Sequence, residues 1–435
     1  MTHATDDIAA LTPTTADALR SSAASGTLPR LNVSRIRADF PGLDHGVAHF
    51  DGPGGSQVPR QVADAVSAAM TSGIANRGVV TAAELRADDI VRGARAAIGD
   101  LLGADPGGVI FGRSMTQLTY DLARTMSRDW TPGDEIVVTR LDHDANIRPW
   151  VQAAERAGVT VRWAAFDRTT GELATHEVIG LLTDRTRLVA VTAASNLIGT
   201  RPDVAAICTA AHDVGALVHV DGVHLTPHAP VDVTSLGADL YSCSPYKFFG
   251  PHLGAMVAAP SLLETLHPDK LRPATDAVPE RFELGTLPYE LLAGVSATVD
   301  YIAGLGPAPE ASNDEGIAGR RQRILTSMAA VESHEDQLLV RLLNGLTGLD
   351  RIRVHANPAH RTPTVLLSVE GRASRDIYAH LATRGVNAPA SSFYALEASH
   401  WLGLGDTGAV RVGLAPYTDD NDVDRLLAGL AETCG

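Results

Sequence analysis

The chain has 435 residues, of which 45% are hydrophobic and 20% charged. At roughly 150 residues per domain that length makes two or three domains, and the balance excludes a collagenous, disulfide-rich or wholly disordered protein. The 51 acidic side chains outnumber the 36 basic ones for a net charge of −15, and such a surface repels nucleic-acid phosphates and anionic membranes alike.

Residues 1–30 are rich in Ala, Thr and Ser and carry Asp6 and Asp7 where a secretory signal needs basic and apolar regions. They read as a flexible extension. From about residue 57 to 260, short apolar runs alternate with helical segments. The expected strands are Gly108–Phe111, Glu135–Thr139, Thr160–Ala165, Arg187–Thr192, Ala216–Val220, Asp239–Ser242 and Ala255–Ala258. Several are continuously apolar, as parallel strands buried on both faces are. Helices are expected at Arg60–Met70, Ala83–Leu102, Gln117–Met126, Asn146–Ala157 and Val204–Val214, the last opening on Pro202 and Asp203. This alternation predicts an α/β domain with a mostly parallel sheet.

After Pro288 the pattern changes. A helix is expected over Tyr289–Ile302, a loop over Gly304–Gly316, and a long helical segment over Arg320–Leu346 with an interruption near Ser333 and His334. Strands near Thr364–Ser368 and Ala409–Gly413, with helices at Arg375–Arg384 and Asn421–Ala431, complete a smaller α+β domain. The expected division is therefore an extension (1–30), a large domain (31–303, with 31–55 free to pack on the small one) and a small domain (304–435). No apolar run reaches the ~18 residues of a membrane-spanning helix. Cys208, Cys243 and Cys434 form neither a disulfide framework nor a metal-ligand pattern, so the protein reads as reduced and cytoplasmic.

Of the 36 basic residues only Lys247 and Lys270 are lysines. Where arginine serves wherever a charge is enough, a remaining lysine points to a primary amine that can lose its proton and attack a carbonyl. Lys270, in LHPDKLRP, reads as a solvated loop residue. Lys247 stands in the densest segment, Ala216–Ala258, where one apolar strand ends in Asp221 and the next at Ser244, just before Pro245-Tyr246-Lys247. Both ends should emerge at the carboxyl edge of a parallel sheet, where α/β ligand sites form.

An aspartate and a lysine there suit pyridoxal phosphate: the lysine forms an imine with its aldehyde, and the aspartate keeps the pyridine nitrogen protonated. A structural Asp–Lys ion pair fits the same two residues. Upstream, the strand GVIFG runs into Arg113-Ser114-Met115-Thr116 and a helix, which makes either an anion cradle or an ordinary N-cap. His143 and Asn196 each follow a strand end and could stack on a ring or donate to a phenolic oxygen.

In order and spacing these stretches resemble the class V aminotransferase family of fold-type I pyridoxal-phosphate enzymes, most closely its cysteine-desulfurase-like branch. The matching stretches run over about residues 31–432: FDGPGGSQVP, ANRG, GRSMTQ, LDHDANIRPW, SNLIGT, VDGVH, SPYKFFGPHLG, RFELGTLPYE and VRVGLAPYTDDNDVDRLL. The resemblance implies a seven-stranded large-domain sheet and a homodimer acting on a small amino-acid substrate. It implies Lys247 as the Schiff-base lysine, Asp221 at the pyridine nitrogen, His143 on the ring, and Asn196 and His224 near the phenolic oxygen. Met115 (by its backbone), Thr116, Ser244 and Tyr246 would hold the phosphate, with Thr286 donated across the dimer interface. Arg411 would bind the substrate carboxylate. Arg77 and Asn76 of the ANRG stretch, from the neighbouring subunit, and Tyr394 would line the substrate pocket.

One departure matters. Desulfurases carry a nucleophilic cysteine on a mobile loop, and the corresponding stretch here, Arg384–Glu397, has none. Persulfide chemistry by the usual route is thereby excluded. A proton leaving the substrate α-carbon can return at the cofactor carbon (transamination) or on the opposite face (epimerisation, with His143 or Tyr394 as the second acid), or a β-thiolate can depart. The last, a C–S lyase reaction on a cysteine S-conjugate, is the leading expectation, because it needs no enzyme thiol. A non-catalytic binding protein on the same fold is the contrasting class, and the retained Lys247 speaks against it.

Overall fold

The computed structural model describes residues 31–306 and 317–434. The extension expected at 1–30 and most of the loop expected at 304–316 lie outside the described residues.

In chain order the strands are β1 (Ala48–His49), β2 (Val109–Gly112), β3 (Glu135–Thr139), β4 (Thr160–Ala164), β5 (Thr186–Thr192), β6 (Leu217–Asp221), β7 (Leu240–Cys243), β8 (Gly254–Ala258), β9 (Ile352–Val354), β10 (Thr364–Val369), β11 (Val386–Asn387), β12 (Ala390–Ser391) and β13 (Ala409–Gly413). Seven of them form one sheet in the order β2-β8-β7-β6-β5-β3-β4. Only β8 runs against its neighbours β2 and β7, so the sheet is mostly parallel, as the apolar runs predict. All five residues of β3 and of β8 are buried, the mark of strands covered by helices on both faces.

The register places the site. Thr192 at the end of β5 pairs with Asp221 at the end of β6, and Asp221 pairs with Ser242 on β7. Three polar side chains thus stand abreast where the strands finish, at the carboxyl edge. Beyond β2 the chain turns into the helix Met115–Met126. Ser114 caps it, its Oγ accepting from the Gln117 amide at 3.1 Å. A Cβ on Gly254 of β8 would collide with the Ser114–Met115 backbone, so only glycine lets this helix start lie against the sheet.

The second unit is a four-stranded antiparallel sheet, β12-β13-β10-β9, with Leu366 of β10 opposite Arg411 of β13. β1 pairs in parallel with β11, which ties residues 48–49 to this unit. The helix Tyr289–Ala303 packs on Arg60–Thr71 and Ala82–Leu102. The expected break near Ser333 and His334 does not occur: one helix runs unbroken over Ile317–Thr347. Tertiary contacts outweigh the weak helix propensity of Ser and His there. His334 bonds the Thr418 carbonyl at 3.0 Å through Nε2, and the next residue, Glu335, meets His228 at 2.9 Å.

Candidate active site

A cavity opens at the carboxyl edge of the large sheet. Nine of the residues singled out in the sequence line it: Met115, Thr116, His143, Asn196, Asp221, His224, Ser244, Tyr246 and Lys247. They come from five separate stretches of chain, and the sheet register is what brings them together.

Lys247 lies in a short 3₁₀ turn after β7 and is 8% exposed. Its Nζ donates to the Pro53 carbonyl. Burial, then the Arg411 charge, brings its pKa down from 10.5 to about 8, against the pull of Asp221 and Asp51. Burial pushes the Asp221 carboxyl up to about 6, while the Val223 amide (2.9 Å) and the Lys247 charge favour its ionised form. Above that pH the cavity floor carries a carboxylate.

His143 accepts from the Ala145 amide through Nδ1 at 3.0 Å, so the ring proton sits on Nε2. Burial, then the charges of Lys247 and Arg411, drives its pKa down to about 3, and the ring is neutral. His224 bonds Thr362 and Thr364 through Nε2, both at 3.0 Å, and its buried Nδ1 has no partner. Asn196 donates to the Phe393 carbonyl at 3.0 Å, while its buried Oδ1 has no partner.

These observations test the site against pyridoxal phosphate. Two orphaned polar atoms on the cavity wall, a buried lysine of lowered pKa, a buried carboxylate and a close-packed helix start suit that cofactor's oxygens, aldehyde, ring nitrogen and phosphate respectively. The residues fit the group.

The substrate side differs from expectation in detail. Arg411 is 2% exposed and sits behind the cavity wall. Its Nη2 meets Asp51 at 2.8 Å, its Nη1 donates to the Asn196 carbonyl at 3.1 Å, and its guanidinium lies 3.7 Å from the Phe393 ring centroid. Tyr394 is 76% exposed, with its ring 5.6 Å from that of His143. Arg77, Asn76 and Thr286 do not line the cavity of their own chain. Arg77 is held by Asp88 at 2.8 Å and Glu280 at 3.1 Å, and Asn76 and Thr286 are exposed.

Sequence reasoning missed several residues. Asp51 is one, and no local pattern links it to Arg411, 360 positions away. Asp142 is another. Thr139 and Asn146 donate to it, Asn146 accepts from His219 at 2.6 Å, and Ser242 lies 2.9 Å from the far nitrogen of that ring. Burial pushes the Asp142 carboxyl up to about 8, so it stays protonated at neutral pH and adds no second charge beside Asp221. A third group lies behind His224, where the ring of His228 approaches within 5.0 Å and in turn meets Glu335.

The family model for class V aminotransferases matches residues 48–426. The chain belongs to the class V aminotransferase family. Among curated relatives of this class V enzyme, the uncharacterized protein MT3887 of Mycobacterium tuberculosis is 36% identical over 404 residues, covering 92% of this chain and 98% of the relative. A probable cysteine desulfurase of Pseudomonas aeruginosa is 30% identical, with 91% and 96% covered. Among solved structures, the cysteine desulfurase CsdA of Escherichia coli, in an S-sulfonic acid form, superposes with a TM-score of 0.80 at 25% identity, covering 92% of this chain and 98% of that one. Class V enzymes depend on pyridoxal phosphate, so this chain is a pyridoxal-phosphate enzyme of the desulfurase-like kind.

Proposed function

We propose that this enzyme acts at the α-carbon of an amino acid and expels the β-thiol of a cysteine S-conjugate without using a thiol of its own. The observation that carries the reading is the state of Arg384–Glu397, the stretch matching the cysteine-bearing loop of desulfurases. It contains no cysteine, and it is pinned to the large domain. Phe393 and Tyr394 hold positive φ values of 52° and 57°, a strained conformation costing about 1–2 kcal/mol per residue. Hydrogen bonds from Asn196 to the Phe393 carbonyl and from the Asp144 amide to the Tyr394 carbonyl (2.7 Å) offset it. Glu397 pairs with Arg140 at 3.0 Å and Arg148 at 3.2 Å, and Trp401 donates to the Phe166 carbonyl at 2.8 Å. Elsewhere, Cys208 and Cys243 are buried with thiol pKa values pushed upward by that burial, and Cys434 lies at the end of the last helix.

In this reading Lys247 holds the cofactor covalently, Asp221 holds a proton on the ring nitrogen, and His143 covers the ring. Asn196 and His224 would hold the cofactor's phenolic oxygen, and the Met115 amide, Thr116, Ser244 and Tyr246 would hold its phosphate. When bound, pyridoxal phosphate supplies the electron sink for negative charge at the α-carbon. Lys247, as the free amine, takes the α-proton and delivers it to the departing sulfur as the C–S bond breaks with its electron pair on that atom. With one water consumed, the products are a thiol, pyruvate and ammonia. Arg411 fixes the substrate carboxylate from behind Asn196.

The same reading makes the enzyme a homodimer. Exposed Met70, Val79, Val80 and Leu284 flank Asn76, Arg77 and Thr286, and a second copy covering this apolar skirt would carry those three residues to its own cavity. Transamination is the second reading, favoured by one observation: the buried Lys247, its pKa brought down to about 8, is the single proton carrier it needs. Epimerisation would require a second acid, from His143 or Tyr394.

Incubation with cysteine S-conjugates and a panel of plain amino acids decides among these. Thiol, pyruvate and ammonia in equal amounts are expected. Accumulation of the aminated cofactor without thiol release would establish transamination instead.

A further prediction concerns pH. A lysine of pKa about 8 is unprotonated at pH 7 roughly 300 times more often than one at 10.5. Capture of added pyridoxal phosphate by the cofactor-free protein, followed by absorbance, should therefore quicken up to about pH 8 and level off above it. A rate still climbing tenfold per pH unit at pH 9 would show an ordinary lysine.

A further inference from the structure

We propose that Asp51 sets the enzyme's selectivity for amino acids over simple carboxylates, by occupying one corner of the Arg411 fork until a substrate bearing its own positive charge arrives. The inference rests on the reading of Arg411 as the carboxylate site.

Arg411 has three of its sides accounted for. Asp51 Oδ1 takes Nη2, the Asn196 carbonyl takes Nη1, and Phe393 covers one face. Its Nε is buried without a partner. A substrate carboxylate engaging this guanidinium bidentately must share or displace Asp51. The displaced carboxylate then needs a new cation.

Asp51 belongs to the turn Asp51-Gly52-Pro53-Gly54, and the same turn supplies the carbonyl that binds the Lys247 amine. The Asp51 charge already acts on Lys247. An amino acid brings its ammonium to this neighbourhood and compensates Asp51. Propionate, which has the carboxylate alone, leaves Asp51 facing it as a like charge. The carboxylate of Asp51 is also held in place by its own turn: a Cβ on Gly54 would fall 2.6 Å from both of its oxygens. Glycine there is what allows Asp51 to lie against the turn and reach the arginine.

Binding of propionate and of alanine to the holoenzyme, each measured by calorimetry, tests this. In Asp51→Asn the propionate Kd should fall about tenfold, the scale of one charge-assisted interaction, while that of alanine changes far less. Gly54→Ala, which keeps the charge but pushes the carboxylate aside, should move propionate the same way and covers the case in which Asp51→Asn fails to fold. A merely structural Asp51 would weaken both ligands together. A propionate Kd that is unchanged or raised in the folded variants overturns the proposal. Arg411→Ala separates the two levels of inference. If it binds propionate as tightly as the wild type, the carboxylate site lies elsewhere and the site reading itself fails. If it loses propionate while the Asp51 and Gly54 variants do not gain it, only the role of Asp51 fails.

Discussion

Lys247→Ala is expected to lower turnover by at least about 10³-fold, within the range that a positioned acid–base group contributes, and to abolish covalent capture of the cofactor altogether. The chemistry has no understudy. Lys270 is the second and last lysine of the chain, and it lies apart, donating to the Ala274 carbonyl at 2.8 Å and pairing with Asp276 at 3.1 Å. Arginine cannot replace it, because a guanidinium keeps its proton at any working pH. The imidazoles of the cavity do not reach the same role: His143 receives an amide proton on Nδ1, and His224 is committed through Nε2 to two threonines. The measurement is turnover of the purified variant together with borohydride trapping of the added cofactor. Trapping on Lys247 in the wild type and none in the variant is the expected pair of results. A variant that keeps more than a tenth of wild-type turnover would remove Lys247 from the mechanism.

The lysine was legible in the sequence because it was rare, and its neighbours because strand ends are. Asp221, Ser244 and Lys247 each follow an apolar run, and parallel strands that finish together bring such ends to one edge whatever the loops do. The same reasoning located β3 and β13 with their exact limits and most other strands to within a residue or two. It failed where the interaction is long-range and polar. Nothing near Asp51 announces an arginine at the other end of the chain, and nothing near Glu335 announces His228. The unbroken helix through Ser333 and His334 is the same failure seen from the other side: local propensity argues for a break, and partners distant in sequence remove it. The two-residue strands β1, β11 and β12 are too short to carry a period. The absence of a cysteine from Arg384–Glu397 was plain in the sequence, whereas the pinning of that stretch was not. The arginines and the tryptophan that pin it look, one by one, like surface residues.

Asp221→Asn is the second variant expected to have a large effect, and it tests the charge rather than the shape of the site. Asparagine is isosteric and can still accept from the Val223 amide, so the turn after β6 should keep its form. What is lost is the one carboxylate on the cavity floor. Its neighbour Asp142 cannot take over, because it is fully buried, engaged by Thr139 and Asn146, and held protonated by a pKa pushed up to about 8. An adjacent carboxylate raises the pKa of a buried cation by roughly 1–3 units, so its removal should cut the protonated fraction of the ring nitrogen, and with it the rate, by about 10- to 1,000-fold. The loss should appear in kcat rather than in cofactor affinity, since Lys247 and the phosphate cradle are untouched. Burial pushes Asp221 up to about 6, and a ring cation beside it favours its ionised form, so the wild-type rate should itself fall only as pH drops below about 6, where Asp221 takes up its proton. This acid limb should be absent from the variant. An acid limb that persists unchanged in Asp221→Asn would mean that another group sets it.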